Sequence, residues 1–151
     1  MEIGYVTLAA ADEYFSTRIH SEAWGDATNA TKTKALTTAH VLLDSQIKWK
    51  GAPTTPGQPN AWPRSGVEGI DPDAVPNSVK LAQTELSMVL LKTDTTALPD
   101  TAGFKSIQVD KIKLDVDGST RGGVIPDVIL SIIAHLGSLK SHAASSFGVS
   151  R

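Results

Sequence analysis

The sequence contains no cysteine, few aromatic residues and no excess of basic residues, and each of these shortages excludes a class of protein. Without cysteine the chain has no disulfide, no thiolate metal site and no cysteine nucleophile. Because aromatic residues make up only 5% of the chain, the core has to be mostly aliphatic. The formal net charge is −2 and the basic residues are spread along the chain, which argues against a strong DNA-binding protein but permits one that surrounds DNA.

Segments that would direct the chain into or across a membrane are also missing. The first residues have no basic stretch before an apolar one, so they do not resemble a secretory signal. No apolar run reaches the roughly 20 residues that span a bilayer. With 40% hydrophobic and 20% charged residues, the composition is that of an ordinary folded domain. We therefore expect a single domain over residues 1–151 that has no contact with a membrane.

Three segments have the apolar spacing of amphipathic helices. The first is predicted to begin after Thr7, an N-cap residue, and to end at about Ile19. Residues 20–30 are predicted to turn the chain. The second helix is predicted over about Thr31–Lys48, and the third begins at Pro76, a residue suited to the first helical turn.

A long loop is predicted between the second and third helices. Residues 51–75 contain five prolines, which remove backbone donors and fix φ, so neither a helix nor a central strand can cross this segment. Loops of this length in compact domains are usually functional or disordered. Trp62 in its middle indicates that this loop is docked. With the loop, the helical core is predicted to cover residues 1–103.

After the helical core, the hydrophobic period changes from about 3.6 to two. Residues 104–118 are therefore predicted to form a β-hairpin or, alternatively, one bulged strand. A last helix is predicted over residues 124–140, starting near Pro126 and apolar on more than one side, and a flexible tail over 141–151. The predicted fold class is mainly α: a small bundle of about four helices with a long Pro/Gly-rich loop and a short β-hairpin.

Motifs for catalysis, phosphate binding and metal coordination are missing. His40 and Asp44 are four residues apart and could share a helix face, but an ordinary surface pair is the simpler interpretation. Asp71 and Asp73 fit a turn better than a calcium loop. The sequence has no HExxH, no phosphate-binding loop and no GxSxG. We therefore expect a protein that is not an enzyme and that has no cofactor and no metal site.

One cluster has the composition of a nucleic-acid surface, in which basic residues alternate with exposed aromatic rings. It comprises Lys48, Trp49, Lys50, Trp62 and Arg64. Alternatively, the two tryptophans anchor the long loop to the helices, since burial of one such ring contributes roughly 1.5–3 kcal/mol. The composition of the chain favours anchoring.

Six segments occur in an order that is typical of one family: YVTLAAADEYF, WKG, AWPRSGV, VPNSVKLAQTELSMVLL, FKSIQVDKIKLDV and VIPDVILSIIAHL. Together they resemble the phage head–tail connector (adaptor) family, which includes members described as DnaT-like single-stranded DNA-binding proteins. The resemblance covers nearly the whole chain, and AWPR followed by a helix that starts with proline is its most specific part. The family has glycine where Asp110 stands and an aromatic residue where Val116 stands.

The resemblance implies a non-enzymatic virion protein of the head–tail neck, made in the host cytoplasm. It implies that neighbouring copies form a ring, commonly dodecameric, between the portal protein and a downstream tail or stopper protein. DNA then passes through the ring without sequence-specific contacts. In such a ring the last helix docks on the portal, so the predicted interface consists of Val128, Ile129, Ile132, Ile133 and Leu136. Trp49, Trp62 and Arg64 are predicted to fix the long loop near the subunit interface.

Two alternatives to this interpretation remain open at this point. The apolar faces of the last helix are also explained if the helix simply closes its own bundle. The alternative function is that of a replication accessory protein that binds single-stranded DNA, with an affinity that falls steeply as salt is added.

Overall fold

The computed structural model describes residues 2–97 and 123–140. The predicted hairpin at 104–118 and the predicted tail at 141–151 lie outside these residues. The described elements, in chain order, are β1 Glu2–Ile3, β2 Val6–Thr7, α1 Leu8–Ser16, α2 Glu22–Asp26, α3 Asn29–Gln46, β3 Ile47–Trp49, β4 Ala52–Pro53, β5 Arg64–Ser65, α4 Asn77–Lys92, α5 Asp127–Ile132 and β6 Gly137–Leu139. None of the helices in this part of the chain has the length and apolar character needed to cross a membrane.

Helix α1 begins where the sequence predicts and ends earlier. The Thr7 hydroxyl accepts a hydrogen bond from the backbone N–H of Ala10 at 3.0 Å, as an N-cap does. The helix stops at Ser16, and the chain then turns through His20, whose φ of 57° is left-handed. Ile19, the predicted end of the helix, lies three residues beyond it and is 74% exposed, so this end is wrong.

Helix α2 lies in the segment that was predicted to be a turn. It is only five residues long, and it places Trp24 in a small core against Phe15 of α1, with the ring centroids 4.7 Å apart. The Trp24 indole N–H donates to Asp12 Oδ1 at 2.8 Å, which satisfies the polar edge of the buried ring. Helix α2 is too short to show a periodic apolar pattern in the sequence. Burial of the Trp24 ring therefore explains why it forms.

Helices α3 and α4 pack on each other and form the centre of the domain. The N-cap of α3 is Thr28, three residues before the predicted start, and its hydroxyl accepts from Thr31 N at 3.1 Å. Helix α4 begins at Asn77, one residue after the predicted start, and Pro76 occupies its N-cap position. Small and branched side chains of the two helices are fully buried: Leu36, Ala39, Leu43, Val79, Ala82 and Leu86.

A buried amide joins this helix pair to the N-terminal strands. Gln83 of α4 accepts from Tyr5 N at 2.9 Å and donates to Ile3 O at 2.7 Å and to Leu36 O at 2.9 Å. Because every polar atom of the side chain has a partner, the amide can be buried without an unsatisfied group. It fixes the β1–β2 hairpin against α3 and α4.

The C-terminal part of the described chain departs most from the prediction. Helix α5 ends at Ile132, and after a turn the chain forms β6, which pairs antiparallel with β3 in the register Ile47↔Leu139, Lys48↔Ser138 and Trp49↔Gly137. The last residues of the predicted second helix and of the predicted last helix are therefore strands. Lys140 N donates to Gln46 O and Lys50 N to Leu136 O, both at 2.9 Å, so pairing replaces helical bonds at both sites.

A bundle of about four helices is not confirmed. In the described part of the chain, two long helices and three short ones are combined with three two-stranded pairs, and the architecture is mixed. The long loop closes one side of the core, with β4 and β5 paired inside it and a cis peptide bond between Trp62 and Pro63. The loop is docked, as predicted, because Trp62 is only 2% exposed.

Candidate functional site

The two tryptophans of the predicted nucleic-acid cluster face the core. Trp49 and Trp62 are both buried and meet edge to face, with their ring centroids 5.4 Å apart. Among the described aromatic residues none is exposed; Tyr14 is half-buried and the others are buried. Stacking of bases on exposed Phe, Tyr or Trp rings is therefore not available from this part of the chain, and the tryptophans lie where loop anchors would lie.

A polar network holds the loop beside these rings. The Tyr5 hydroxyl donates to Asp44 Oδ1 at 2.7 Å and accepts from Trp62 N at 3.2 Å, while Asp44 Oδ2 accepts from Ala61 N at 3.1 Å. Burial, followed by the hydrogen bond to Asp44, raises the pKa of Tyr5 well above its usual range, so its hydroxyl stays protonated. His40 Nε2 lies 3.2 Å from Asp44 Oδ2. The His40–Asp44 pair therefore belongs to the attachment of the loop.

Arg64 uses its guanidinium to hold the backbone of the loop. Nε donates to Lys50 O at 2.7 Å, Nη1 to Ala61 O at 3.1 Å and Nη2 to Gly51 O at 2.9 Å. Burial lowers the pKa of this group from its usual value, yet an arginine remains charged at neutral pH. Three of its five N–H donors are used on backbone carbonyls, so Arg64 is a brace for the loop.

Unlike the two tryptophans, the lysines of the cluster are exposed. In the β3–β6 ribbon, Ile47 and Trp49 are buried while Lys48 between them is exposed, as alternation along a strand requires. Lys50 follows on the exposed side, and Lys140 lies across the ribbon, bonded through its backbone to Gln46. We call Lys48, Lys50 and Lys140 the basic ribbon. Neither residues 46–50 nor residues 137–140 include an aspartate or a glutamate.

The spacing within the basic ribbon follows from strand geometry. Residues two apart on one strand, such as Lys48 and Lys50, have Cα atoms about 7 Å apart, while Lys140 lies across the ribbon opposite Gln46. Gly137 permits the pairing, because a Cβ there would lie 2.7 Å from Lys48 O and 3.1 Å from the Trp49 Cα. The ribbon therefore presents exposed positive charge on a rigid base.

A cleft adjoins the basic ribbon at Lys50. Its volume is about 350 Å³, and its walls are formed by the ends of two segments, residues 66–68 of the loop and residues 135–136 before β6. The floor is apolar, since Val67 and Leu136 are buried, and the rim carries the exposed side chains of Glu68 and His135. His135 Nε2 lies 3.4 Å from the Ser78 hydroxyl of α4.

The five residues predicted to dock on a portal do not form a surface. Ile129, Ile133 and Leu136 are at most 1% exposed and belong to the main core with α3, α4 and the loop. Ile132 is partly buried, and Val128 is 64% exposed. The predicted docking surface is corrected accordingly: the apolar side of this short segment closes its own domain, which was the alternative interpretation.

Two functional candidates were missed by sequence reasoning. No sequence pattern around Lys140, Glu68 or His135 marks them as functional. Their neighbours in the fold are distant in sequence and come close only when β3 pairs with β6. Within residues 2–97 and 123–140, no three His, Asp or Glu side chains are grouped closely enough to hold a metal ion.

Comparison with known proteins adds one finding. A family model described as "Putative DnaT-like ssDNA binding protein" matches residues 4–149 of the chain. No curated protein and no solved structure matches it. The family description gives no support to the head–tail connector interpretation and agrees with the alternative, a protein that binds single-stranded DNA.

Proposed function

The chain belongs to the DnaT-like single-stranded DNA-binding family, and from this premise we propose that it binds single-stranded DNA along the basic ribbon. The observation that carries the proposal is that Lys48, Lys50 and Lys140 are all exposed and that pairing of β3 with β6 brings them together in one ribbon. The two paired segments contain no carboxylate, and Glu68 lies outside them, in the cleft at Lys50. The rest of the chain is acidic on balance, so this ribbon is the natural surface for a polyanion.

The mode of binding follows from which side chains are exposed. Lysine ammonium groups contact phosphates as point charges and carry no sequence information. With three lysines, the logarithm of the association constant should fall with the logarithm of the salt concentration with a slope of about −2, because each phosphate contact on a single strand contributes about −0.7. The proposed interaction is therefore modest in affinity and sensitive to salt.

The test is removal of one charge from the ribbon. We expect Lys48→Gln to weaken binding of a labelled thymidine strand of about 12 nucleotides and to reduce the salt slope by about 0.7. Fluorescence anisotropy between about 50 and 200 mM salt measures both quantities. The matched control is Lys34→Gln, an exposed lysine of α3 that lines a different groove and changes the net charge equally. Equal effects of the two variants would show that the ribbon is not the binding site.

A further inference from the structure

The cleft beside Lys50 has the size and the floor of a pocket for one planar ring. Its volume of about 350 Å³ is at the lower end of the range of about 300–1,000 Å³ typical of small-molecule sites. Val67 and Leu136 supply an apolar floor, and the His135 ring stands at the rim. Imidazole rings are among the side chains on which unpaired bases stack.

The charge of the cleft decides which part of a nucleotide enters it. The Glu68 carboxylate lines the same cleft as Lys50, so a phosphate there would face a negative charge at short range. A base is neutral, and its edge carries N–H donors, while a carboxylate only accepts hydrogen bonds. Phosphates therefore suit the exposed lysines of the ribbon, and a base suits the cleft.

We infer that the cleft takes one base of the bound strand and that Glu68 makes guanine the preferred base. This inference rests on the single-stranded DNA binding proposed above. Guanine presents two adjacent donors, N1–H and the 2-amino group, which match the two oxygens of one carboxylate. Thymine presents only N3–H, and adenine and cytosine present an amino group without a second donor beside it. The nearby lysines keep the strand attached whichever base enters.

The experiment compares two labelled strands of about 12 nucleotides, one of thymidine only and one with a single central guanosine. We expect the wild-type chain to bind the guanosine strand at least about fivefold more tightly, the lower end of what one bidentate base contact contributes. Glu68→Gln should abolish this preference, because an amide offers one acceptor and one donor. Affinity for the thymidine strand should be unchanged or slightly higher. Glu13→Gln, an exposed carboxylate of α1, is the matched control and should keep the preference.

The possible results separate the two proposals. Equal binding of both strands by the wild-type chain would overturn the inference and leave the binding proposal intact. A preference for guanosine that survives in Glu68→Gln would also overturn it, since another group would then be reading the base. Failure to bind either strand would refute the proposed function itself, and the inference with it.

Discussion

At the residue scale, the Glu85 carboxylate ties the end of α1 to α4. Arg18 donates to it from Nε and from Nη2, both at 2.8 Å, and the Tyr14 hydroxyl donates to it as well. Burial alone would raise the pKa of Glu85, but the hydrogen bonds from Arg18 and Tyr14 outweigh it and lower the pKa below its usual value. The carboxylate therefore stabilises the fold in its charged form.

We expect Glu85→Gln to lower the free energy of unfolding by roughly 1–3 kcal/mol, because Arg18 would keep its charge in a partly buried position without a matching anion. Urea denaturation at neutral pH measures this change. Since the pKa of Glu85 is lowered on folding, its contribution is complete above the pKa of the unfolded chain and is lost as pH falls through the folded value. The wild-type chain should therefore lose more stability below about pH 4.5 than the variant does.

The comparison for this variant is Glu13→Gln on the exposed side of α1, which should leave both the midpoint and its pH dependence unchanged. If Glu85→Gln has the wild-type pH profile, the ion pair with Arg18 contributes nothing measurable. Sequence alone places Arg18 and Glu85 on different helices, and only the fold shows that they meet.

At the scale of elements, the β3–β6 ribbon depends on a glycine. We expect Gly137→Ala to destabilise the domain by at least about 1–3 kcal/mol, the usual cost of overpacking, because the added methyl would meet the Lys48 carbonyl and the Ile47 side chain. Thermal unfolding followed by circular dichroism measures the loss. Gly25→Ala is the control: nothing lies within 4 Å of its Cβ position, and alanine favours a helix. A neutral Gly137→Ala would mean that the strands can separate at little cost.

The sequence predicts a helix or strand boundary well when the residues that set it are neighbours in the chain. The start of α1 and the start of α4 follow from Thr7 and Pro76, and both are confirmed because caps act within one turn. Ile47 continues the helical spacing of Leu36, Ala39 and Leu43, so the periodic pattern extends the helix through it. The strand that ends α3 exists because β6 pairs with it, and a partner so distant in sequence leaves no periodic signal.

The same distinction applies to the site. Lys48 and Lys50 are visible in the sequence beside Trp49, but the exposure of Lys48 and the burial of the tryptophan follow from the strand that both belong to. Arg64 looks like a phosphate ligand by type, and only the three carbonyls around it show that it braces the loop. Composition can therefore name the basic residues, but their availability is a property of the folded chain.

At the scale of the whole molecule, the small negative net charge bears on the two functions that the sequence suggests. A chain with a net charge of −2 that carries the basic ribbon binds a strand locally, while the lumen of a ring needs little attraction to DNA. The connector interpretation expects the chain in virions at a ratio near one copy per portal subunit. The proposed function expects it among replication proteins instead.

We therefore expect quantitative mass spectrometry of the phage implied by the resemblance to find the protein abundant in infected cells and absent from purified particles. The portal protein serves as the internal standard in both samples. A ratio near one to one in particles would reverse this conclusion and restore the ring. It would also turn the basic ribbon into a surface for another partner.

The pairing of β3 with β6 also has a consequence for how a cell makes this protein. A ribosome delivers residues 47–49 long before residues 137–139, at about 5–20 residues per second. Until the later segment emerges, Ile47, Trp49 and the apolar faces of α3 and α4 lack the segment that completes their cover. The nascent chain therefore carries an open hydrophobic surface through most of its synthesis, the kind of surface that chaperones bind.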